Sequence, residues 1–411
     1  MNVYVESLGC KLNQSESEGM ARALQRAGHR VVYDPAEADI CIVNSCAVTH
    51  VAARKTRQAL RRLASHNPTA RLAVVGCYAD LWPAELSQIA GVQVLAGAAK
   101  DAIVQSLGLA AGEAAASLSR PRTRAFVKVQ DGCDNACTYC VVRLARGRER
   151  SRPLTDILDE VRELRAAGVQ EIVLTGVHVG AYGRDLGLDL ADLVRAILER
   201  TDLPRLRLSS IEPWHLQERF LDLWREPRLC RHLHLPLQSG CDATLRRMGR
   251  RYTAAEFAAL VAAARARIPD LGLTTDVMVG FPGETDEEFD ISRRFVERIG
   301  FSRLHVFRYS PRPGTPAARF AGQVPPAVSA ARSDAMLAAG EQGSRAFRLS
   351  LLGQTLSVLW ESREADTGEW VGLTDNYVRV RTRSDEELHN RIAPARLLEL
   401  AGEDVRGVLA G

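Results

Sequence analysis

The sequence predicts an α/β protein with three parts: an N-terminal open parallel α/β domain, a central partial (β/α)6 barrel and a small C-terminal antiparallel β domain. Short apolar runs alternate with helical stretches through residues 1–107, and the same alternation repeats six times in residues 119–310. Such alternation is typical of parallel sheets covered by helices. Residues 345–411 contain only strand-like runs, and residues 311–344 combine five prolines with a helical stretch that connects the two parts.

Length and composition exclude several classes of protein. A chain of 411 residues predicts two to four domains, at roughly 100–200 residues each. A content of 46% hydrophobic and 25% charged residues excludes wholesale disorder. The apolar runs are shorter than the ~18 residues of a membrane helix, and the first residues lack the basic-then-apolar order of a signal peptide. We therefore expect a cytoplasmic protein, in which nine cysteines favour metal or redox chemistry over disulfides.

The N-terminal region shows four strand-like runs and two helical stretches. The strands are expected at Val3–Ser7, Ile40–Asn44, Leu72–Gly76 and Val92–Ala96, and the helices at 14–27 and 51–64. Ser15 and Glu18 have the spacing of a capping box at the start of the first helix. Because carboxyl ends of parallel strands lie along one sheet edge, ligands are expected there.

The central region repeats one β/α unit six times. Its candidate strands are Ala125–Gln130, Glu171–Thr175, Arg205–Ser210, His232–Leu237, Leu273–Met278 and Leu304–Tyr309, and its candidate helices are 155–167, 189–199, 254–267 and 285–299. Six such units predict a partial barrel, whose functional groups should lie at the carboxyl ends of the strands.

Two further stretches complete the prediction. Residues 108–122 have no strong periodicity and are predicted to be a linker. Strands are expected at Thr355–Trp360, Glu369–Leu373 and Asn376–Thr382, around the turn-like sequences Asp366-Thr367-Gly368 and Thr374-Asp375-Asn376. They predict a small β-barrel or sheet.

The sharpest local signal is a triplet of cysteines directly after the first barrel strand. Cys133, Cys137 and Cys140 are spaced so that three thiolates can ligate three irons of a [4Fe–4S] cluster, which leaves the fourth iron open for a substrate. The alternative is a zinc site, but structural zinc takes four ligands. His178 or a distant cysteine would have to supply the fourth.

Three more cysteines follow strands of the N-terminal sheet. Cys10, Cys46 and Cys77 each come just after a predicted strand, so they could converge at one sheet edge on a second cluster. Ordinary buried thiols are the alternative. Cys41 and Cys230 are interpreted as structural cysteines. A packing role is also favoured for Cys241, although it follows the fourth barrel strand and could lie near the site.

The cysteine loop resembles that of the radical S-adenosylmethionine (SAM) superfamily, including an aromatic residue, Tyr139, before the last cysteine. Further motifs resemble the methylthiotransferase family within it. They are Leu8-Gly9-Cys10-Lys11-Leu12-Asn13-Gln14-Ser15-Glu16-Ser17-Glu18, Asn44-Ser45-Cys46-Ala47-Val48-Thr49, Val75-Gly76-Cys77-Tyr78-Ala79, Gln130-Asp131-Gly132-Cys133, Ala145-Arg146-Gly147-Arg148, Leu235-Pro236-Leu237-Gln238-Ser239-Gly240 and Gly280-Phe281-Pro282-Gly283-Glu284-Thr285. The C-terminal β region resembles the TRAM domain of the same family, so the resemblance covers essentially the whole chain.

The resemblance implies two [4Fe–4S] clusters: an auxiliary one at Cys10, Cys46 and Cys77, and a radical-SAM one at the other cysteine triplet. It implies that one SAM methylates a sulfur held at the auxiliary cluster. A second SAM yields the radical that activates an adenine carbon of tRNA. An electron donor such as a flavodoxin or ferredoxin and a sulfur source are implied as partners. The sequence shows no paired carboxylates or Ser/His/Asp set for other chemistry, so no catalytic side chain is assigned.

Residues for SAM are expected at the ends of the barrel strands, although each could instead form a turn or a cap. The candidates are Tyr139, Thr175, Gly176, Ser209, Glu212, Gln238 and Gly280. Gly280 is included because glycine permits close approach of the backbone to a ligand.

Basic residues concentrate near the cysteine loops. Residues 120–152 hold nine Arg or Lys and three acidic residues. Residues 54–71 hold six Arg or Lys and no acidic residue. Solvated helix faces would explain such runs, but their position favours contact with RNA phosphates. The resemblance implies that this RNA is the anticodon stem–loop of a tRNA. The candidate RNA-binding residues are Arg54, Arg57, Arg61, Arg146, Arg148, Arg150, Arg379, Arg381 and Arg383.

The start of the chain resembles most closely the branch of the family that acts on N6-threonylcarbamoyladenosine, next to the tRNA anticodon. That branch converts the base to its 2-methylthio derivative. The alternatives are an isopentenyladenosine tRNA and a ribosomal-protein side chain as substrate. A zinc–RNA binding module without enzymatic activity is the rival from another class.

Overall fold

The computed structural model describes residues 1–100, 102–110 and 123–410, and most of the expected linker at 108–122 lies outside these ranges. The N-terminal sheet contains five strands: β1 (Asn2–Ser7), β2 (Arg30–Val32), β3 (Ile40–Ser45), β4 (Arg71–Gly76) and β5 (Val92–Val94). All pairs are parallel, in the order β2-β1-β3-β4-β5. The strand order changes direction between β1 and β3, because β2 lies on one side of β1 and the later strands lie on the other. In such sheets ligands bind at this switch point.

Helices cover both faces of this sheet. They are α1 (Lys11–Arg26), α2 (His50–His66), α3 (Cys77–Leu81), α4 (Pro83–Ser87) and α5 (Ile103–Ser106). The predicted capping box at Ser15 is wrong, because α1 already begins at Lys11 with Cys10 as its N-cap residue. The Ser15 hydroxyl instead donates to the backbone carbonyl of Phe126, 2.9 Å away in the next domain.

The central region is a partial barrel of parallel strands, as predicted. Its strands are β6 (Arg124–Asp131), β7 (Arg150–Ser151), β8 (Glu171–Gly176), β9 (Arg205–Leu208), β10 (His232–His234), β11 (Gly272–Val279) and β12 (Arg303–Arg308). Strands β6-β8-β9 and β10-β11-β12 form two sheets, bridged between Ser210 and His234, and the short β7 pairs antiparallel with β6. The predicted strands ending at Ser210 and Leu237 are therefore too long. Within the described residues β6 and β12 do not pair, so the barrel is open on that side.

The outer layer of the barrel and the connection that follows it are helical. The helices are α6 (Val142–Arg146), α7 (Leu154–Ala166), α8 (Leu190–Arg200), α9 (Glu218–Leu221), α10 (Asp242–Met248), α11 (Ala254–Arg267), α12 (Asp286–Ile299) and α13 (Pro326–Ser350). Helix α13 continues beyond the boundary expected at residue 344. No helix in the described part of the chain is long and apolar enough to cross a membrane.

Alternate residues of the barrel strands face a polar interior. Outward-facing residues such as Val127, Leu174 and Val277 pack into the largest apolar cluster with the helices. Their neighbours along the strands point inward, as the period of two requires. The inward set includes charged and polar residues: Glu171, Arg207, His232, His234, Asp276 and His305. The barrel interior, called the polar chamber, is therefore lined by charged and polar side chains instead of an apolar core.

The C-terminal region is a closed five-stranded barrel. Its strands are β13 (Thr355–Arg363), β14 (Trp370–Thr374), β15 (Arg379–Thr382), β16 (Ile392–Ala401) and β17 (Asp404–Leu409), in the order β13-β14-β15-β17-β16. The expected antiparallel arrangement is confirmed for four of the five strand pairs, and closure of the barrel makes β15 and β17 parallel neighbours. The strand expected from Asn376 begins only at Arg379.

The turn between β14 and β15 enters the amino end of the central barrel. The Tyr377 ring stacks on His232 with 4.4 Å between ring centroids. Arg207 donates to the carbonyl oxygens of Thr374 and Asp375. Gly272 lies so close that a Cβ there would be 2.0 Å from the carbonyl oxygen of Asn376. This turn fixes the small barrel against the base of the larger one.

Candidate active site

Cys10, Cys46 and Cys77 all follow carboxyl ends of strands in the N-terminal sheet. Cys10 is exposed and caps α1 after β1, Cys46 follows β3, and Cys77 is the first residue of α3 after β4. Cys46 and Cys77 are buried. The pKa of the Cys46 thiol is raised to about 11, mainly by burial and also by the nearby Cys10 and Cys77. The three thiols thus converge at the switch point of the sheet.

Two glycines and one asparagine shape the loops of this cysteine triplet. A Cβ on Gly9, which has φ +110°, would be 2.6 Å from Cβ of Cys46, and one on Gly76, which has φ +90°, would be 2.6 Å from the carbonyl oxygen of Ser45. The Asn13 amide donates to the carbonyl oxygens of Leu8 and Ser45, at 2.8 and 2.9 Å. It therefore ties the loop after β1 to the loop after β3.

Arg146 crosses from the central barrel to this triplet. Its Nε donates to Sγ of Cys77 at 3.2 Å, and its other nitrogens donate to Glu16 at 2.8 and 3.0 Å. A further nitrogen contact reaches Asp131 at 3.0 Å, and the Arg146 side chain is only 3% exposed. Burial alone would raise the pKa of Glu16, but hydrogen bonds and charge contact with Arg146 hold it at about 2. Glu16 is thus a buried carboxylate paired with a cation of the other domain.

The second cysteine triplet occupies the loop between β6 and α6. Gly132, with φ +71°, precedes it, and a Cβ there would be 1.9 Å from the carbonyl oxygen of Arg148. The Cys133 amide donates to Gly147 at 3.1 Å, so the loop folds back on itself. Burial raises the pKa of Cys133 to about 11 and of Cys140 to about 12, and the neighbouring cysteine thiols add to both shifts.

The thiol spacing bears on the choice between a cluster and a single metal ion. A zinc ion bound to sulfurs at 2.3 Å would bring them within about 3.8 Å of one another. Among the described residues, neither cysteine triplet forms a group whose three sulfurs all lie within 4.8 Å of one another. Two sets of three soft thiolate ligands at wider spacing fit iron–sulfur clusters better than single zinc ions.

Arg250 lies beside the second triplet. Its Nη1 is 3.6 Å from Sγ of Cys137, and the guanidinium forms an ion pair with Glu212. The rings of Trp214 and Tyr252 hold it at 5.1 and 5.2 Å from their centroids. This contact was not predicted from the sequence, since Arg250 is far from Cys137 along the chain.

His178 also contacts the second triplet. Its Nδ1 is 2.7 Å from Glu149 and 4.0 Å from Sγ of Cys133, and its Nε2 is 2.9 Å from His215. The His178 amide donates to the Gln130 side chain at 2.8 Å. The imidazole is buried, and its contacts with Glu149 and Cys133 connect it to the cysteine loop.

The residues predicted to bind SAM lie around the same end of the barrel. Thr175 and Ser209 are buried at the ends of β8 and β9. Gln238 has a left-handed backbone, with φ 63°, and bridges to β11. The amide of Gly280 donates to the Glu284 carboxylate at 3.1 Å. A Cβ on Gly176 would be 2.8 Å from the Gln130 carbonyl oxygen, while Tyr139 packs edge-on against Phe281 at 6.4 Å.

Several arginines predicted to bind RNA have other partners. Arg146 is buried in the network described above, so its assignment to RNA is wrong. Arg57 donates to the Tyr78 hydroxyl. Arg379 and Arg381 both pair with Glu364, and Arg381 pairs with Asp404 as well. Six remain exposed: Arg54, Arg61, Arg148, Arg150, Arg379 and Arg383.

The remaining cysteines lie outside both triplets. Cys41 is buried within β3, and Cys230 is buried with its thiol 4.0 Å from Glu171. Cys241 is the buried N-cap residue of α10.

Comparisons with known proteins agree with this arrangement. Residues 127–296 match the Radical SAM superfamily, and residues 2–97 match a family described as Uncharacterized protein family UPF0004. Among solved structures, the radical S-adenosylmethionine methyltransferase TsrM from Kitasatospora setae aligns with a TM-score of 0.57 at 17% identity. The alignment covers 77% of this chain and 76% of that one. This likeness shows a shared fold.

Curated relatives are more similar in sequence. The threonylcarbamoyladenosine tRNA methylthiotransferase MtaB of Thermotoga maritima is 41% identical over 87% of this chain and 86% of that protein. MtaB of Bacillus subtilis is 35% identical over 97% of this chain and 94% of that protein. A tRNA-2-methylthio-N(6)-dimethylallyladenosine synthase of Novosphingobium aromaticivorans is 35% identical over 99% and 97%. With these identities over nearly the full length, the chain belongs to the radical-SAM methylthiotransferase family.

Proposed function

We propose that the protein is a tRNA-modifying transferase that methylthiolates C2 of N6-threonylcarbamoyladenosine at position 37, beside the anticodon. The observation that carries this proposal is the pair of cysteine triplets, one on each side of the domain boundary that Arg146 crosses. The 41% identity to the Thermotoga maritima MtaB supports the choice of base.

Each triplet is proposed to ligate one [4Fe–4S] cluster: Cys10, Cys46 and Cys77 the auxiliary cluster, and Cys133, Cys137 and Cys140 the radical-SAM cluster. When bound, the clusters and SAM supply the methylated sulfur and the radical that activates an unactivated ring carbon. The residues of this chain then have three tasks: they ligate iron, place the base between the two sites and exclude water. The buried Arg146 holds the wall of the auxiliary site in place, and Arg250 does the same at Cys137.

SAM is proposed to bind over the carboxyl ends of the barrel strands, in contact with residues from several of them. The residues proposed for these contacts are Tyr139, Thr175, Gly176, Ser209, Glu212, Gln238 and Gly280. The residues proposed to bind tRNA phosphates are the predicted arginines that remain exposed: Arg54, Arg61, Arg148, Arg150, Arg379 and Arg383. A flavodoxin or ferredoxin as electron donor, a separate sulfur source and a cytoplasmic location complete the proposal.

A second candidate substrate is isopentenyladenosine in tRNA, because relatives at 35% identity are named as dimethylallyladenosine synthases. The deciding experiment uses anaerobically reconstituted protein with SAM, a reductant and sulfide. Threonylcarbamoyl-tRNA and isopentenyl-tRNA are offered separately, and methylthio nucleosides are identified by mass spectrometry. Product from the first tRNA alone supports the proposal, and product from the second alone transfers it to the other base. If neither reacts while SAM is cleaved, a ribosomal-protein side chain becomes the substrate to test.

A further inference from the structure

Lys11 is the residue directly after the proposed iron ligand Cys10, and its side chain enters the central barrel. Its Nζ lies 5.7 Å from the centroid of the Tyr377 ring, which stacks on His232 inside the barrel. Burial is the main reason for the low pKa of His232, and the positive charges of Arg207 and Lys11 lower it further. One lysine of the N-terminal domain therefore reaches the polar chamber of the second domain.

The ammonium group of Lys11 has no carboxylate partner among the described residues, unlike those of Lys100 and Lys128. Lys100 and Lys128 lie 3.0 and 3.2 Å from the Glu16 carboxylate. Lys11 is partly buried, and its Nζ lies over the Tyr377 ring. An anion that comes close to Lys11 would be stabilised by its positive charge.

The carboxylates inside the chamber are already engaged. Glu171 is bound to Arg207 at 2.7 Å. Asp276 lies 3.3 Å from His234 and 3.2 Å from His305. Burial alone would raise the pKa of Tyr377, but the positive charges around it lower it, with Lys11 the strongest contributor. The positive charges of Lys11, Arg124, Arg207 and Arg303 therefore all act on the Tyr377 ring.

We propose that Lys11 binds the carboxylate of the threonine group on the substrate base and thereby selects threonylcarbamoyladenosine over isopentenyladenosine. The inference rests on the proposed function. C2 and N6 flank N1 on one edge of adenine, so a base whose C2 faces the Cys10 site brings its N6 substituent close to Lys11. The isopentenyl group is apolar and offers the ammonium group no partner.

The test compares three anticodon stem–loop RNAs: one with the threonylcarbamoyl group, one with its carboxylate converted to a carboxamide, and one with isopentenyladenosine. Binding to the iron-loaded full-length enzyme is measured without SAM, and kcat/KM with it. A charged hydrogen bond predicts that the wild type prefers the carboxylate RNA over the carboxamide RNA by about 10- to 100-fold. Lys11→Gln should abolish this ratio while iron content and carboxamide binding stay unchanged. Lys11→Arg should retain it.

Arg30→Gln is the matched control, because Arg30 is an exposed cation at the amino end of β2, away from the cysteines. It should leave the ratio intact. The inference is overturned if Lys11→Gln keeps the wild-type ratio, or if it weakens all three RNAs equally, which would indicate a phosphate contact. A wild-type enzyme that modifies only isopentenyl RNA would instead overturn the proposed function. These two failures are distinguishable, because the first concerns the variant and the second the wild type.

Discussion

The Nε atom of Arg146 lies 3.2 Å from Sγ of Cys77, so a side chain of the central barrel donates directly to a thiol of the N-terminal domain. The same guanidinium pairs with Glu16 and Asp131 in a buried network. Loss of Arg146 removes these charged hydrogen bonds, although Glu16 keeps its contacts with Lys100 and Lys128.

Arg146→Gln is therefore expected to lower the free energy of unfolding by about 1.5–3 kcal/mol. Urea denaturation of the iron-free protein measures this effect without involving the clusters. Arg148→Gln serves as the control, because the Arg148 side chain is 86% exposed, and it should change stability by no more than ~0.5 kcal/mol. Equal effects of the two substitutions would contradict the role given to Arg146.

The network also predicts a pH dependence. The pKa of Glu16 is lowered from 4.5 to about 2, so its charge stabilises the fold above pH 4.5. This contribution is lost as the pH falls through 4.5 towards 2. The stability difference between the wild type and Glu16→Gln should therefore be largest above pH 5 and shrink towards pH 2. A difference that stays constant over this range would argue against an ionised Glu16.

Replacement of one cysteine triplet should remove one cluster and leave the other. The triple alanine variant of Cys10, Cys46 and Cys77 is expected to bind about four irons after anaerobic reconstitution, against about eight in the wild type. Iron analysis together with visible absorption measures this. Cys41→Ala is the control, since Cys41 lies within β3, and it should retain the wild-type iron content. Loss of all iron in the triple variant would contradict two separate sites.

The contact between the C-terminal barrel and the central barrel can be tested at Gly272. A Cβ there would be 2.0 Å from the carbonyl oxygen of Asn376, so Gly272→Ala must displace the turn that carries Tyr377. We expect a loss of about 1–3 kcal/mol in stability, measured by thermal unfolding. Gly19→Ala is the matched control, because a Cβ in that position of α1 meets nothing within 4 Å. It should stabilise the helix slightly, by up to ~1 kcal/mol.

Contact between arginines and RNA phosphates predicts that tRNA binding weakens as the salt concentration rises. Each arginine that binds a phosphate should contribute to this salt dependence. Arg54→Gln and Arg61→Gln should each weaken tRNA binding at low salt and reduce the slope of log Kd against log salt by about one. Arg225→Gln is the control, since its side chain is 86% exposed and far from either cysteine loop along the chain. Unchanged slopes for both α2 variants would contradict an RNA-binding role for this helix.

The sequence predicted the position of the cysteines well because strand order and strand ends follow from local patterns. Once β1, β3 and β4 are recognised as parallel, the residues after them must meet at one edge. The same reasoning explains why Cys133 was expected on a loop at the carboxyl end of the barrel.

Contacts between distant segments were not predictable in this way. The partners of Arg146 lie on other elements, so its position in a basic run indicated RNA and not a buried pair. Ser15 satisfied a capping pattern, but its hydroxyl found an acceptor in the next domain. The parallel neighbours β15 and β17 follow from closure of the barrel, which no local alternation encodes.

The short segment from β6 to α6 serves both cysteine sites at once. It carries Cys133, Cys137 and Cys140 and ends with Arg146, which completes the wall around Cys77. The geometry of the two sites is therefore linked through one piece of backbone. The wall around Cys77 is complete only when the loop that carries the other triplet has taken its final path.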